Sequence, residues 1–67
     1  MEKIIKSSNY TDAKVVYCMV DVDDTNMEEG VEISPTNKED WETFTLVMDY
    51  DEVNEENIDT LIETYGL

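Results

Sequence analysis

The stretch KVVYCMVDV, residues 14–22, decides the fold. It is rich in β-branched residues and only nine long, which suits a strand and is too short for a typical helix. Val16, Cys18, Val20 and Val22 fall on one face, and Val15, Tyr17 and Met19 on the other. Both faces are largely apolar, so the pattern predicts a central strand covered on both sides, with a partner covering one of them.

The elements around it follow from local chemistry. EKIIKS (2–7) reads as a short strand and SSNYTD (7–12) as a turn. VEIS (31–34) alternates and pairs back onto the central strand through a 23–30 loop, and SPTNKED (34–40) is a turn in which Pro35 ends the strand. WETFTLVMDY (41–50) alternates, with Phe44, Leu46, Met48 and Tyr50 on one face and Thr43, Thr45, Val47 and Asp49 on the other. The last element is a helix. Asn54 is its N-cap, Val53 and Ile58 form a hydrophobic staple, and Gly66 is the C′ residue. Ile58, Leu61, Ile62 and Tyr65 make the stripe that lies on a sheet, opposite Glu55, Glu56, Asp59 and Glu63. Residues 1–67 thus form a single α+β domain: a small antiparallel sheet of three or four strands with one C-terminal helix packed on one face.

The acidic segment after the central strand, DVDDTNMEEGVE (21–32), has carboxylates at loop positions 1, 3, 9 and 12 of an EF-hand register. Its flanks argue otherwise. A strand enters it, Pro35 follows it closely, and position 6 is Asn26 where an EF-hand has Gly. It reads as a hairpin, with weak binding of divalent cations as a third functional alternative and no metal or cofactor assigned.

Catalysis is not expected. Asp21/Asp23 and Asp49/Asp51 are i, i+2 pairs, about 6.7 Å apart along a strand, within the range of an inverting glycosidase. Eighteen acids in 67 residues make such pairs inevitable, and the chain has no His to serve as a base. The single cysteine, Cys18, excludes an intramolecular disulfide and lies in an apolar run. The N-terminal stretch has no apolar signal-peptide core and no segment is long enough to cross a bilayer, so the expected location is cytoplasmic.

Charge is the main functional signal. The chain carries a formal −14, and residues 15–67 hold sixteen acids against Lys38 alone. Such a chain has no electrostatic reason to approach nucleic acid or an anionic membrane; it is drawn to proteins that bind those polyanions. A compact chain of this length is about 28 Å across, and duplex DNA of that length carries about 16 charges. Solubility alone needs a net charge of only about 2–8.

In size, acidity and mixed strand–helix pattern the chain resembles the small acidic proteins of phages and mobile elements that mimic DNA. The resemblance implies an inhibitor that occupies the nucleic-acid site of a host protein, as in host takeover or anti-defence. It rests on no alignable motif, so no residue role is carried over. The expected acidic surface comprises Asp21, Asp23, Asp24, Glu28, Glu29, Asp49, Asp51, Glu52, Glu55, Glu56, Asp59 and Glu63. Tyr17, Met19, Met27 and Trp41 are the expected apolar anchors, for a basic partner or for a homodimer through the second sheet face. The alternative is an acidic interaction or assembly subunit that binds a basic protein without imitating nucleic acid.

Overall fold

The β-branched run forms the middle of a sheet. In the computed structural model, which describes residues 1–37 and 41–67, β2 spans Ala13–Asp21 and pairs with a strand on either side. Strands β1 (Glu2–Ile5), β2, β3 (Met27–Pro35) and β4 (Phe44–Leu46) make an antiparallel meander in sequence order. A 3₁₀ turn at Tyr50–Glu52 follows. The C-terminal helix runs through α1 (Ile58–Leu61) into a π-helical turn at Ile62–Gly66.

Register determines what each face carries, because side chains of paired residues share a side. Val15 pairs with Lys3 and Ile33, and Ile33 pairs with Phe44. This inner face is fully buried at Ala13, Val15, Val31 and Ile33, under Val53, Ile58 and Ile62 of the C-terminal segment. Lys3 extends from the same face, donating from Nζ to the Tyr50 carbonyl at 2.7 Å and lying 4.2 Å from the Tyr50 ring centroid. Among the described residues nothing forms a covering layer on the outer face. Only the inner face is covered among them, which leaves the outer face as the one for which the sequence pattern called for a partner.

Several boundaries move for identifiable reasons. β1 stops at Ile5, not residue 7, because Ser7 turns inward and becomes a hydrogen-bonding hub. Its hydroxyl accepts from the Tyr10 amide at 2.9 Å and donates to Asp59 at 2.5 Å. β3 begins at Met27, four residues before residue 31, so the loop shrinks to residues 22–26. The Asp23 carboxylate closes it by accepting from the Thr25 and Asn26 amides at 2.8 and 2.9 Å. Gly30 then lies mid-strand opposite Cys18. A methyl group there would stand 2.6 Å from the Leu46 carbonyl oxygen and collide with Val20, so the β3–β4 approach requires glycine for space.

The expected 41–50 strand is reduced to β4 because Trp41 leaves the sheet plane and becomes 95% buried. Its alternation survives: Phe44, Leu46, Met48 and Tyr50 all pack on the core while Val47 is exposed. Of the 34–40 turn, Ser34 and Pro35 close β3, and residues 38–40 lie outside the described residues.

The helix starts later than expected: Asn54 caps a turn that leads into it, and the helix proper begins at Ile58 with Asn57 as its N-cap. Asn54 Oδ1 accepts from the amides of Glu56 and Asn57 at 2.9 and 3.2 Å, and Asn57 Oδ1 returns the bond to the Asn54 amide at 3.0 Å. This is a reciprocal cap built from two asparagines. Its end differs. The last turn widens, with the Leu67 amide donating to the Ile62 carbonyl at 3.1 Å, an i to i−5 bond. The widening rotates Tyr65 outward to 54% exposure and brings Gly66 into the core. Gly66 has no positive φ, so it is not a left-handed C′ residue; a Cβ there would sit 3.0 Å from both Trp41 and Phe44 ring atoms.

Candidate acidic interaction surface

The β2–β3 hairpin holds the first group of acids. No residue from 19 to 28 belongs to the core, and Asp21, Asp23, Asp24 and Glu28 are exposed. This arm accounts for a molecule measuring 37 × 20 × 18 Å, longer than a sphere of the same chain. Met19 and Met27, expected as anchors, are 46% and 56% exposed here, and Val22 at the tip joins them.

Asp23 shapes the tip. The Thr25 amide, then the Asn26 side chain and the Thr25 hydroxyl, bond to its carboxylate and lower its pKa from 3.8 to about 2. All the hydrogen-bond capacity that these contacts use is turned inward, so Asp23 contributes charge to the surface mainly as a fixed structural anion.

A second group lies beside the arm. Glu28, Glu29, Asp49 and Glu52 line an open cleft of about 430 Å³ with Val47 and Met48. Non-local pairing builds it: β3 supplies Glu28 and Glu29, and the segment after β4 supplies Asp49 and Glu52. Glu29 is half-buried and accepts from the Tyr50 amide at 2.9 Å, satisfying the open start of the 3₁₀ turn. Asp51 is exposed on that turn, and Glu55 and Glu56 are exposed in the capping turn of the helix.

Asp59 and Glu63 belong elsewhere. Asp59 accepts from Ser7 at 2.5 Å and from Asn9 at 3.0 Å, while Glu63 accepts from the Tyr10 hydroxyl at 3.1 Å. The like-charge i, i+4 pair is thus held by the 7–10 loop of its own chain. Desolvation and the bond to Glu63 raise the Tyr10 pKa, keeping the phenol protonated as donor. No local pattern in the sequence announces this contact, which joins residues about fifty positions apart.

The expected anchors differ in exposure, and Trp41 is the one that the fold withdraws. Trp41 is buried, with its indole Nε1 lacking a hydrogen-bond partner among the described residues, and cannot serve as an exposed contact. Tyr17 is half-buried against the core, its hydroxyl directed to the Met19 sulfur at 3.3 Å. Met19 and Met27 remain as exposed residues of the arm, and Ile4 and Val22 are exposed apolar residues that the sequence reading did not single out as anchors.

The acids have little internal compensation. Among the described residues one ion pair occurs, Lys14 to Glu2 at 3.2 Å. No group of three or more potential metal ligands converges among the described residues. Across the 37 Å long axis the net charge is −14. Duplex DNA of that length carries about 22 charges and one strand about 11. The density therefore lies between single strand and duplex, below the near-parity estimated for a compact sphere. Among the described residues no helix is long and apolar enough to cross a membrane. Comparison with protein-family models, with curated proteins and with solved structures finds no match.

Proposed function

We propose that this protein is a non-catalytic acidic inhibitor that occupies the nucleic-acid-contacting surface of a basic protein, as phage-type DNA mimics do. The observation that carries this reading is the run of exposed carboxylates from the hairpin tip to the 3₁₀ turn, none of them paired with a cation among the described residues: Asp21, Asp24, Glu28, Asp49, Asp51 and Glu52. In the bound state these groups stand where phosphates would, accepting charge-assisted hydrogen bonds from Lys and Arg. Association is fast, steered and salt-sensitive. Met19, Val22 and Met27 between the carboxylates supply the apolar contacts that charge alone lacks.

The test is charge reversal at Asp21, Asp24 and Glu28, leaving Asp23 and Glu29 to hold the fold. Binding to a captured basic target should fall by about 100-fold or more, about 1 kcal/mol per lost contact. Unchanged binding would remove the arm from the interface.

The second reading is an acidic assembly subunit that binds a basic protein without imitating nucleic acid. The exposed methionines and the sub-duplex charge density favour it, because a mimic needs charge more than it needs apolar anchors. Displacement of the bound target by duplex DNA separates the two.

A further inference from the structure

The outer face of the sheet carries an apolar line with no layer over it among the described residues. Register places Ile4 of β1 and Val16, Cys18 and Val20 of β2 on this side, with Lys14 beside Ile4 at one end, and the alternation continues to Val22. Ile4 is 57% and Val22 46% exposed, and the three between are half-buried. Gly30, opposite Cys18, leaves no side chain to rise above the line. Carboxylates border it on the β3 side, where Glu28 pairs with Val20 and Glu32 with Val16, while Glu2 on the β1 side is already ion-paired with Lys14.

We infer that this outer face is a docking surface for an amphipathic helix of a partner protein, with Lys or Arg beside the helix's apolar stripe. The inner face is already closed by a helix laid on the sheet, and a second helix would complete a three-layer arrangement. Length agrees. Val16 to Val22 spans about 20 Å at 3.3 Å per residue, which about 13 helical residues cover at 1.5 Å each. Shape agrees as well, since a helix presents an apolar stripe with polar residues on both flanks, whereas a strand puts its charges on the far side. Charge disfavours a second copy, because each chain carries −14 and like charges across an interface repel. This deepens the proposed function by giving the partner a shape, and depends on it for the partner's positive charge.

Cys18 is the only cysteine and lies mid-line, so its alkylation rate reports coverage. The intact protein is titrated with a Leu/Lys peptide of about 14 residues whose leucines form one helical stripe, and with a scrambled peptide of identical composition. The striped peptide should bind about tenfold more tightly or better and slow iodoacetamide modification of Cys18. The preference should disappear in an Ile4→Ser/Val22→Ser variant, whose changes lie at exposed positions and whose fold is checked by circular dichroism. Glu28→Gln/Glu32→Gln should weaken the striped peptide more than the scrambled one. Equal affinities for the two peptides, or an alkylation rate unchanged by the bound striped peptide, would overturn the docking face while leaving the acidic surface intact. Failure to bind either peptide would count against both readings. Slower alkylation as the protein alone is concentrated would show a second copy on the face and overturn the inference.

Discussion

Gly30→Ala tests the packing account most sharply, because its cost is steric and has no dihedral component: no glycine in the described chain has a positive φ. The new methyl group would lie 2.6 Å from the Leu46 carbonyl oxygen and against the Val20 side chain. Val20 can rotate only at the expense of its rotamer, and the Leu46 oxygen moves only with β4. Moving β4 loosens its pairing with Val31, Glu32 and Ile33. Overpacking of this kind costs about 1–3 kcal/mol. Alanine offsets about 0.5–1 kcal/mol of that by its lower entropy loss in a strand. A net loss of about 1 kcal/mol is an appreciable share of the roughly 3–10 kcal/mol expected of a domain this size. Urea unfolding should show the midpoint displaced with little change in slope, and the melting temperature should drop by about 4–8 °C. Gly66→Ala is the internal comparison. Its Cβ meets ring atoms at 3.0 Å, and alanine gains about 1 kcal/mol in a helix, so its loss should be smaller. If Gly30→Ala were as stable as the parent, β4 would not sit where the close approach requires.

Three further outcomes follow from the charges. Asp59→Ala should destabilise by about 1–3 kcal/mol even though it reduces a repulsive net charge, because it leaves the buried Ser7 hydroxyl and Asn9 unpaired; Glu55→Gln, at an exposed site in the turn before the helix, should change stability little. The Asp23 carboxylate is held at about 2 against an ordinary 3.8, so its contribution to hairpin order is present above 3.8 and lost as pH falls through about 2. Amide shifts of Thr25 and Asn26 followed by NMR should titrate near the lower value; a midpoint near 3.8 would contradict the turn geometry. Finally, a −14 chain with one ion pair among its described residues repels itself, so added sodium chloride should raise its melting temperature, and a flat or falling dependence would contradict that electrostatic picture.

Legibility in the sequence followed the range of the interaction. The β2 strand, the Asn54 turn that leads into the helix and the inward alternation of Phe44, Leu46, Met48 and Tyr50 are all local patterns, and all appear in the fold. What escaped depends on residues far apart in the chain. Trp41 sits in an alternating run, but Gly66 offers it a buried contact that ends the alternation. Asp59 and Glu63 look like spare surface charge until the 7–10 loop is laid beside them. Glu29 reads as one more loop acid, yet β4 and the turn after it bring the Tyr50 amide within its reach. Charge counting found the character of the surface, and only the topology separated the acids that build the fold from those free to meet a partner.

The measurement that bears most directly on the central claim is displacement by nucleic acid. The protein is immobilised, its target captured from lysate at low salt, and the complex challenged with duplex DNA at constant ionic strength. The account predicts a nucleic-acid-binding target that DNA releases, with release also following a rising salt gradient. A target that stays bound against saturating DNA would contradict mimicry and leave the acidic assembly subunit as the reading to pursue.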